Sequence, residues 1–168
     1  MSSFNKRSLR SASALFFAAV IGGSAAGAPA PPAFDVGGRT PLLVVHAEGA
    51  QLYECKPAAG GFAWTFREPI AALIKDGRTI GRHYAGPTWE LDDGGAVRGK
   101  VAASAPGATD ADVPLLELNV VEYHGAGALK DAALVLRLAT HGGVLSGACP
   151  VVGELQAAPY SADYVFLP

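Results

Sequence analysis

The sequence has little of what redox and metal chemistry usually require. Its 168 residues include two cysteines, four histidines and one methionine, which is Met1. The cysteines stand far apart, so there is no C-x-x-C redox motif. The chain also has no H-x-H or H-E-x-x-H spacing for zinc and no G-x-S-x-G nucleophile motif. The sequence therefore predicts no cofactor and gives no support to a zinc protease or a serine hydrolase.

Long helical patterns are missing as well. No long segment repeats its apolar residues every 3.6 positions, and no G-x-G-x-x-G stands between a strand and a helix. This argues against a parallel α/β sheet that binds a dinucleotide. Short apolar segments instead recur roughly every 8–12 residues between glycine and proline turns. The pattern predicts a single-domain all-β fold, either an antiparallel β-sandwich or a closed β-barrel.

The turns divide the chain into short predicted strands. Asp76-Gly77 is the clearest hairpin signal. Gly49 is interpreted as a break, which would place His46 and Glu48 in a turn between two strands. The predicted strands are 41–47, 51–55, 62–66, 69–74, 79–85, 87–91, 96–104, 113–123, 131–140 and 159–168.

Two of these segments need further interpretation. Residues 131–140 are rich in Ala and Leu, as helices are, but glycine turns on both sides favour a short strand. In FAWTF (62–66) the aromatic residues alternate with smaller ones, so they share one face of a strand. We expect Trp64, at the centre of that face, to lie in the core.

The N-terminal residues have the pattern of a secretory signal peptide. Lys6, Arg7 and Arg10 precede a short apolar run, and small residues follow it. The run is shorter than the roughly 20 residues that span a bilayer. We therefore expect residues 1–26 to be a signal peptide cleaved near Ala26, and the protein to be exported to the periplasm or the extracellular space. Residues 27–40 are predicted to be a poorly ordered leader rich in Pro, Ala and Gly, and residues 41–168 to be the all-β domain.

Charge limits the partners of the mature chain. Cleavage after Ala26 removes three of the 13 basic residues and no acidic one, which leaves 10 against 15, a net charge of about −5. An acidic protein is not attracted to nucleic acid or to an anionic membrane surface. No further apolar run long enough to span a membrane follows, so the mature chain is expected to have neither a nucleic-acid partner nor a membrane span.

The two cysteines, Cys55 and Cys149, are expected to form a disulfide. Export would place them in an oxidising compartment, where pairing is the usual outcome. In the chain-entropy model, a bond that closes a loop of about 95 residues stabilises the fold by roughly 4 kcal/mol.

Four blocks of the sequence carry a family resemblance. They are HAEGAQLYEC (46–55), FAWTF (62–66), GRHYAGPTWELDDGG (81–95) and YSADYVF (160–166). Together they resemble DUF3455, a family of secreted bacterial and fungal proteins of unknown function, over roughly residues 41–166. The resemblance implies kinship but no reaction. Some fungal relatives carry the label malate dehydrogenase, and the missing dinucleotide pattern gives that label no support here.

Candidate functional residues concentrate around two histidines. Histidine is the commonest metal ligand and a frequent acid–base group near neutral pH. Aromatic rings beside a Gly-Pro bend are typical of pockets that stack on sugars or apolar ligands. His46 and His83 each stand at the end of a predicted strand. If those two strand ends meet at one rim, the predicted binding surface consists of His46, Glu48, His83, Tyr84, Trp89 and Glu90.

Two functions remain open for this rim. The leading hypothesis is a non-enzymatic domain that binds a small molecule, a glycan or a protein partner. The alternative is an enzyme or metal-binding protein with a His/carboxylate centre formed by His46, Glu48, His83 and Glu90. In that case His46 and His83 are the candidate metal ligands, and their nitrogens must approach to about 4–5 Å.

Overall fold

The chain folds into a closed antiparallel barrel. The structure is a computed structural model that describes Phe34 and residues 37–168. Each strand pairs with the next, and β8 pairs with β1, so the all-β prediction is confirmed and the barrel alternative is the one present. The strands are β1 (Leu43–Ala58), β2 (Gly61–Lys75), β3 (Arg78–Tyr84), β4 (Thr88–Leu91), β5 (Ala96–Ala105), β6 (Leu115–His124), β7 (Leu134–Gly142) and β8 (Leu155–Leu167).

The predicted break at Gly49 is wrong, because β1 runs through it without interruption. His46 and Glu48 therefore lie within the strand and not in a turn. Gly49 instead allows the backbone of β1 to approach the backbone of β2 closely. A Cβ at this position would overlap the carbonyl oxygen of Ile70 and lie 2.6 Å from the Cα of Ala71. Glycine inside a strand often marks such an approach of two backbones.

β2 likewise joins two segments that the sequence pattern separates. Residues 62–66 and 69–74 form one strand with a bulge, since Leu52 pairs with Glu68 and Tyr53 pairs with Phe66. At its end the predicted hairpin is confirmed: Asp76 and Gly77 connect β2 to β3 with φ values of 50° and 74°. Positive φ at both central residues is what a two-residue hairpin turn of type I′ requires.

The barrel interior is packed at one end by inward-facing side chains from every strand. Alternation along each strand sends every second residue inward. Four aromatic residues of this core, from β3, β4 and β8, contact one another near the middle of the barrel. Members of the core include Leu43, Val45, Ala47, Leu73, Trp89, Leu91, Val97, Leu118, Val135, Tyr164 and Phe166.

The strand predicted at 131–140 is confirmed as β7, and it packs on both faces. Val135 faces the barrel interior, whereas Leu134 and Leu136 form a second buried cluster with Leu167 on the outside. Phe34 packs against this outer cluster. The predicted signal peptide and most of the predicted leader lie outside the described residues. Within residues 37–168, no helix is long and apolar enough to cross a membrane.

The predicted disulfide between Cys55 and Cys149 is present. It fixes the segment before β8 against the end of the β1–β2 hairpin, where Trp64 N–H donates to the carbonyl of Gly147 and Cys149 N–H to that of Phe62, both at 3.3 Å. The expected core position of Trp64 is wrong, because this part of the hairpin is covered on one side only. Trp64 is half-buried, and Trp89 is the tryptophan of the barrel core.

Candidate functional site

The packed interior stops short of one end of the barrel and leaves a cavity there. Its volume is about 360 Å³, and we refer to it as the mouth cavity. Its wall is formed by residues of β1, β2, β3, β5, β6 and β7 and by the segments before β4 and β6. The lining residues are Gln51, Tyr53, Phe66, Arg67, Pro69, His83, Gly86, Pro87, Val101, Val113, Pro114, Leu116 and Arg137.

The bulge in β2 shapes the rim of the mouth cavity. Arg67 is the extra residue between the pairs Leu52–Glu68 and Tyr53–Phe66, so the consecutive residues Phe66 and Arg67 both line the cavity. Bulges often occur at barrel rims, where they redirect side chains. Tyr53 is held in place from two sides, by an edge-to-face contact with Phe66 and by a 2.8 Å hydrogen bond to the carbonyl of Gly143.

The inner end of the cavity is formed by His83, which is buried in the aromatic core. Its ring lies parallel to that of Trp89, with 4.6 Å between centroids and 9° between planes. Nδ1 donates a hydrogen bond of 2.8 Å to the carbonyl of Thr88, so the neutral ring has its lone pair on Nε2. Burial lowers the pKa of His83 to about 4, and the imidazole is therefore uncharged at neutral pH.

Gln51 brings an amide to the same wall and is almost fully buried. Its Nε2 atom makes no hydrogen bond of normal geometry among the described residues. The neighbouring hydroxyl groups belong to Tyr160 and Tyr164, which lie 3.5 Å apart. Burial raises the pKa of both tyrosines, whereas the interactions of Tyr160 with Gln51 and Arg137 oppose the rise in its pKa. Tyr160 thus lies beside the amide of Gln51 and within electrostatic range of the Arg137 guanidinium.

Arg137 places a cation in the wall of the cavity. It is an inward-facing residue of β7, paired in register with Leu116 and Tyr164. Nε donates a 3.0 Å hydrogen bond to the carbonyl of Pro114. Among the described residues no carboxylate lies within ion-pair distance of its guanidinium. Arg67 at the rim differs, because it pairs with Glu68 at 3.1 Å.

The wall of the mouth cavity therefore consists mainly of apolar side chains and a few hydrogen-bond donors. Its described lining has no Asp, Glu, Ser, Thr, Cys or Lys side chain. The polar groups are two guanidinium groups, one amide, one tyrosine hydroxyl already in use and one neutral imidazole. Chemically, such a wall can hold an apolar molecule and donate hydrogen bonds to acceptors on it.

The six residues predicted to form one rim occupy three different places. His83 and Trp89 lie inside the barrel, and Trp89 is buried beneath His83 without lining the mouth cavity. The other four residues alternate along their strands with residues that face inward, so their side chains lie on the outer face of the sheet. His46 and Glu48 are on β1, whereas Tyr84 and Glu90 are on β3 and β4.

The outer pair Tyr84 and Glu90 is part of a polar cluster with Arg82. The Tyr84 hydroxyl donates to Glu90 Oε2 at 2.8 Å, and Arg82 Nη2 donates to the same oxygen at 2.9 Å. The Arg82 guanidinium also lies over the Tyr84 ring, 5.1 Å from its centroid. The Tyr84 hydrogen bond, followed by that from Arg82, lowers the pKa of Glu90. The charges of Arg82 and Glu90 are therefore paired within the cluster.

The outer pair His46 and Glu48 lies beside β8. His46 Nδ1 is 2.8 Å from Asp163 Oδ1, and His46 Nε2 is 3.5 Å from Glu48 Oε1. Since His46 is on the outer face and His83 is inside, the two imidazoles do not meet, and the condition for a shared metal site is not fulfilled. Among the described residues, no group of three His, Cys, Asp or Glu side chains is placed to hold a metal ion.

Sequence reasoning missed the two polar residues that matter most for the mouth cavity. Gln51 alternates with Tyr53 and Cys55, a parity that places it on their face of β1. Arg137 is the one charged residue in the apolar strand LVLRLAT and has the parity of Val135. A charge at an inward position of a β-strand is the signal that could have identified it.

A family model described as a protein of unknown function, DUF3455, matches residues 36–168. The chain belongs to this family. The match confirms the resemblance carried by the four sequence blocks, and it covers the whole barrel of this DUF3455 domain. No curated protein and no solved structure matches the chain.

Proposed function

We propose that this DUF3455 domain binds a small, largely apolar molecule in the mouth cavity. The observation that carries the proposal is the cavity itself, about 360 Å³ in volume and walled mainly by apolar side chains. Ligand pockets are typically about 300–1,000 Å³, with a few polar groups in an apolar wall. An eight-stranded barrel has room for one small ligand where its side chains do not fill it.

Binding without catalysis is favoured by the chemistry of the wall. Neither a nucleophilic side chain nor a carboxylate is part of the described lining, and its single histidine is held by Thr88 and stacked on Trp89. The alternative centre of His46, Glu48, His83 and Glu90 has no comparable support, because these residues are distributed over both faces of the sheet.

The proposal can be tested with the neutral dye N-phenyl-1-naphthylamine, which fluoresces in apolar surroundings. We expect saturable binding to the wild-type protein. Leu116→Trp, which fills the cavity, should raise the Kd at least tenfold. The matched control is Val121→Trp on the same strand, at a position that is 45% exposed and outside the lining. It should bind within twofold of wild type. Absence of saturable binding, or equal binding by Leu116→Trp, would overturn the proposal.

We further propose that the protein is exported and cleaved near Ala26, and that it acts in the periplasm or outside the cell. The disulfide is consistent with an oxidising compartment. Mass spectrometry of protein recovered from the cell envelope and the medium tests this. A mature N-terminus at Gly27 is expected, and an intact Met1 with reduced cysteines would contradict export.

A further inference from the structure

Arg137 is the most unusual residue of the mouth cavity. Arg137 is half-buried in the wall of the cavity, and the described residues provide no carboxylate within ion-pair distance of its guanidinium. Its Nε donates to the carbonyl of Pro114, and its guanidinium interacts with the Tyr164 hydroxyl and opposes the rise in the pKa of that tyrosine, so both of these partners are uncharged. A guanidinium held in this way matches the two oxygens of a carboxylate.

Gln51 supplies an independent observation from another strand. The residue is 2% exposed, and its Nε2 makes no hydrogen bond of normal geometry among the described residues, although the amide lies close enough to the Tyr160 hydroxyl to oppose the rise in the pKa of that tyrosine. Buried polar atoms of this kind are uncommon, and each one calls for an explanation. Because the amide lines the mouth cavity, a bound acceptor atom would satisfy it. Both Gln51 and Arg137 line the mouth cavity, so one ligand in that cavity can contact both.

The rest of the wall indicates what else the ligand contains. Three prolines and several aliphatic and aromatic side chains surround the polar end, and Phe66 and Val101 at the rim are each about half-exposed. The described lining has no acidic group that would repel an anion. An apolar body with one anionic end fits both parts of this wall.

We infer that the ligand of the mouth cavity is a carboxylate with an apolar body, and that Arg137 and Gln51 bind its carboxylate group. The inference rests on the proposed function, because it specifies the ligand class for the same cavity. Long-tailed and ring-shaped carboxylates share this chemistry. The body contacts the aliphatic and aromatic wall, and the neutral His83 leaves Arg137 as the inner cation.

The test compares octanoate with octanol as competitors for bound N-phenyl-1-naphthylamine at pH 7.5, since they have the same tail. Octanoate should displace the dye at a concentration at least tenfold lower than octanol. Arg137→Gln should abolish that preference while octanol binding changes less than twofold. The control Arg82→Gln removes the same charge from the outer face and should keep the preference.

Gln51→Glu provides a second variant in case Arg137→Gln fails to fold. It places a carboxylate beside Arg137, so it should reverse the preference in favour of octanol. If the dye binds but octanoate is no better than octanol, the inference is overturned and the proposed function stands. The same holds if octanoate is preferred equally by wild type, Arg137→Gln and Gln51→Glu. If the dye does not bind at all, the proposed function fails first.

Discussion

His83 and Trp89 face each other across β3 and β4 with their rings nearly parallel, 9° apart, and their centroids at 4.6 Å. They are also direct partners in the strand register, so the backbone pairing itself brings the rings together. Trp89 thus lies behind His83, which lines the mouth cavity and is only 2% exposed. The titration of His83 is therefore coupled to the stability of the barrel.

Protonation of His83 should destabilise the fold. Its pKa is about 4 in the folded state and near 6.5 when unfolded, so the unfolded chain binds the proton first. The contribution of neutral His83 to the free energy of unfolding is fully present above pH 6.5 and is lost as the pH falls from 6.5 to 4. The loss is about 3 kcal/mol, since one pKa unit corresponds to about 1.4 kcal/mol.

Urea unfolding of wild type and His83→Asn at pH 7.5 and 4.5 measures this difference. The asparagine amide can still donate to Thr88, and it does not titrate. Other carboxylates titrate in both proteins, so the comparison isolates His83. Equal pH dependence of the two proteins would contradict the prediction.

Gly49→Ala should destabilise the barrel by about 1–3 kcal/mol or more, the usual cost of inserting atoms where there is no room. The new Cβ would overlap the Ile70 carbonyl, a backbone atom that cannot move aside as a side chain can. Glu48→Ala, next to it on the outer face, is the control. Chemical denaturation of both variants gives the difference, and an unchanged midpoint for Gly49→Ala would refute the close-approach account.

Loss of the disulfide should lower the free energy of unfolding by about 4–5 kcal/mol. Cys55 and Cys149 are 94 residues apart, and the chain-entropy model assigns this magnitude to a loop of that length. Denaturation of the double variant Cys55→Ala/Cys149→Ala, with and without a reducing agent, measures the effect. Wild type should respond to the reductant and the double variant should not. A wild type that unfolds at the same urea concentration in both conditions would argue against stabilisation.

Tyr84→Phe should raise the pKa of Glu90 toward its ordinary range. The Tyr84 hydrogen bond is the largest of the interactions that stabilise the Glu90 carboxylate, ahead of Arg82. Carbon-13 NMR titration of the glutamate carboxyl groups measures the change. Binding of N-phenyl-1-naphthylamine should stay within twofold of wild type, since Tyr84 is outside the cavity. A large loss of dye binding would place the site on the outer face instead.

The sequence predicted the fold class well, because turns and alternation are local signals. The Asp76-Gly77 hairpin and the strand at 131–140 depend on neighbouring residues only, and both are present. Gly49 was misread because a glycine that permits close approach looks the same in sequence as one that ends a strand. Only the position of Ile70 on the paired strand distinguishes the two.

The candidate site was less predictable, because it depends on which face each residue takes across distant strands. His46 and His83 are both histidines in apolar strands, yet one faces outward and the other inward. Gln51 and Arg137 reach the wall of one cavity only because β1 and β7 both pair with β8. Nothing local in the sequence reports that pairing.

Closure of the barrel depends on β8, which lies between β7 and β1. During synthesis β1 emerges long before its second partner, so a nascent chain shorter than Leu155 exposes two unpaired strand edges. Unpaired edges favour association with other chains, and contacts between residues so distant in sequence form slowly. The barrel is therefore completed only after translation of Leu167, and the partly synthesised chain is the form most exposed to aggregation.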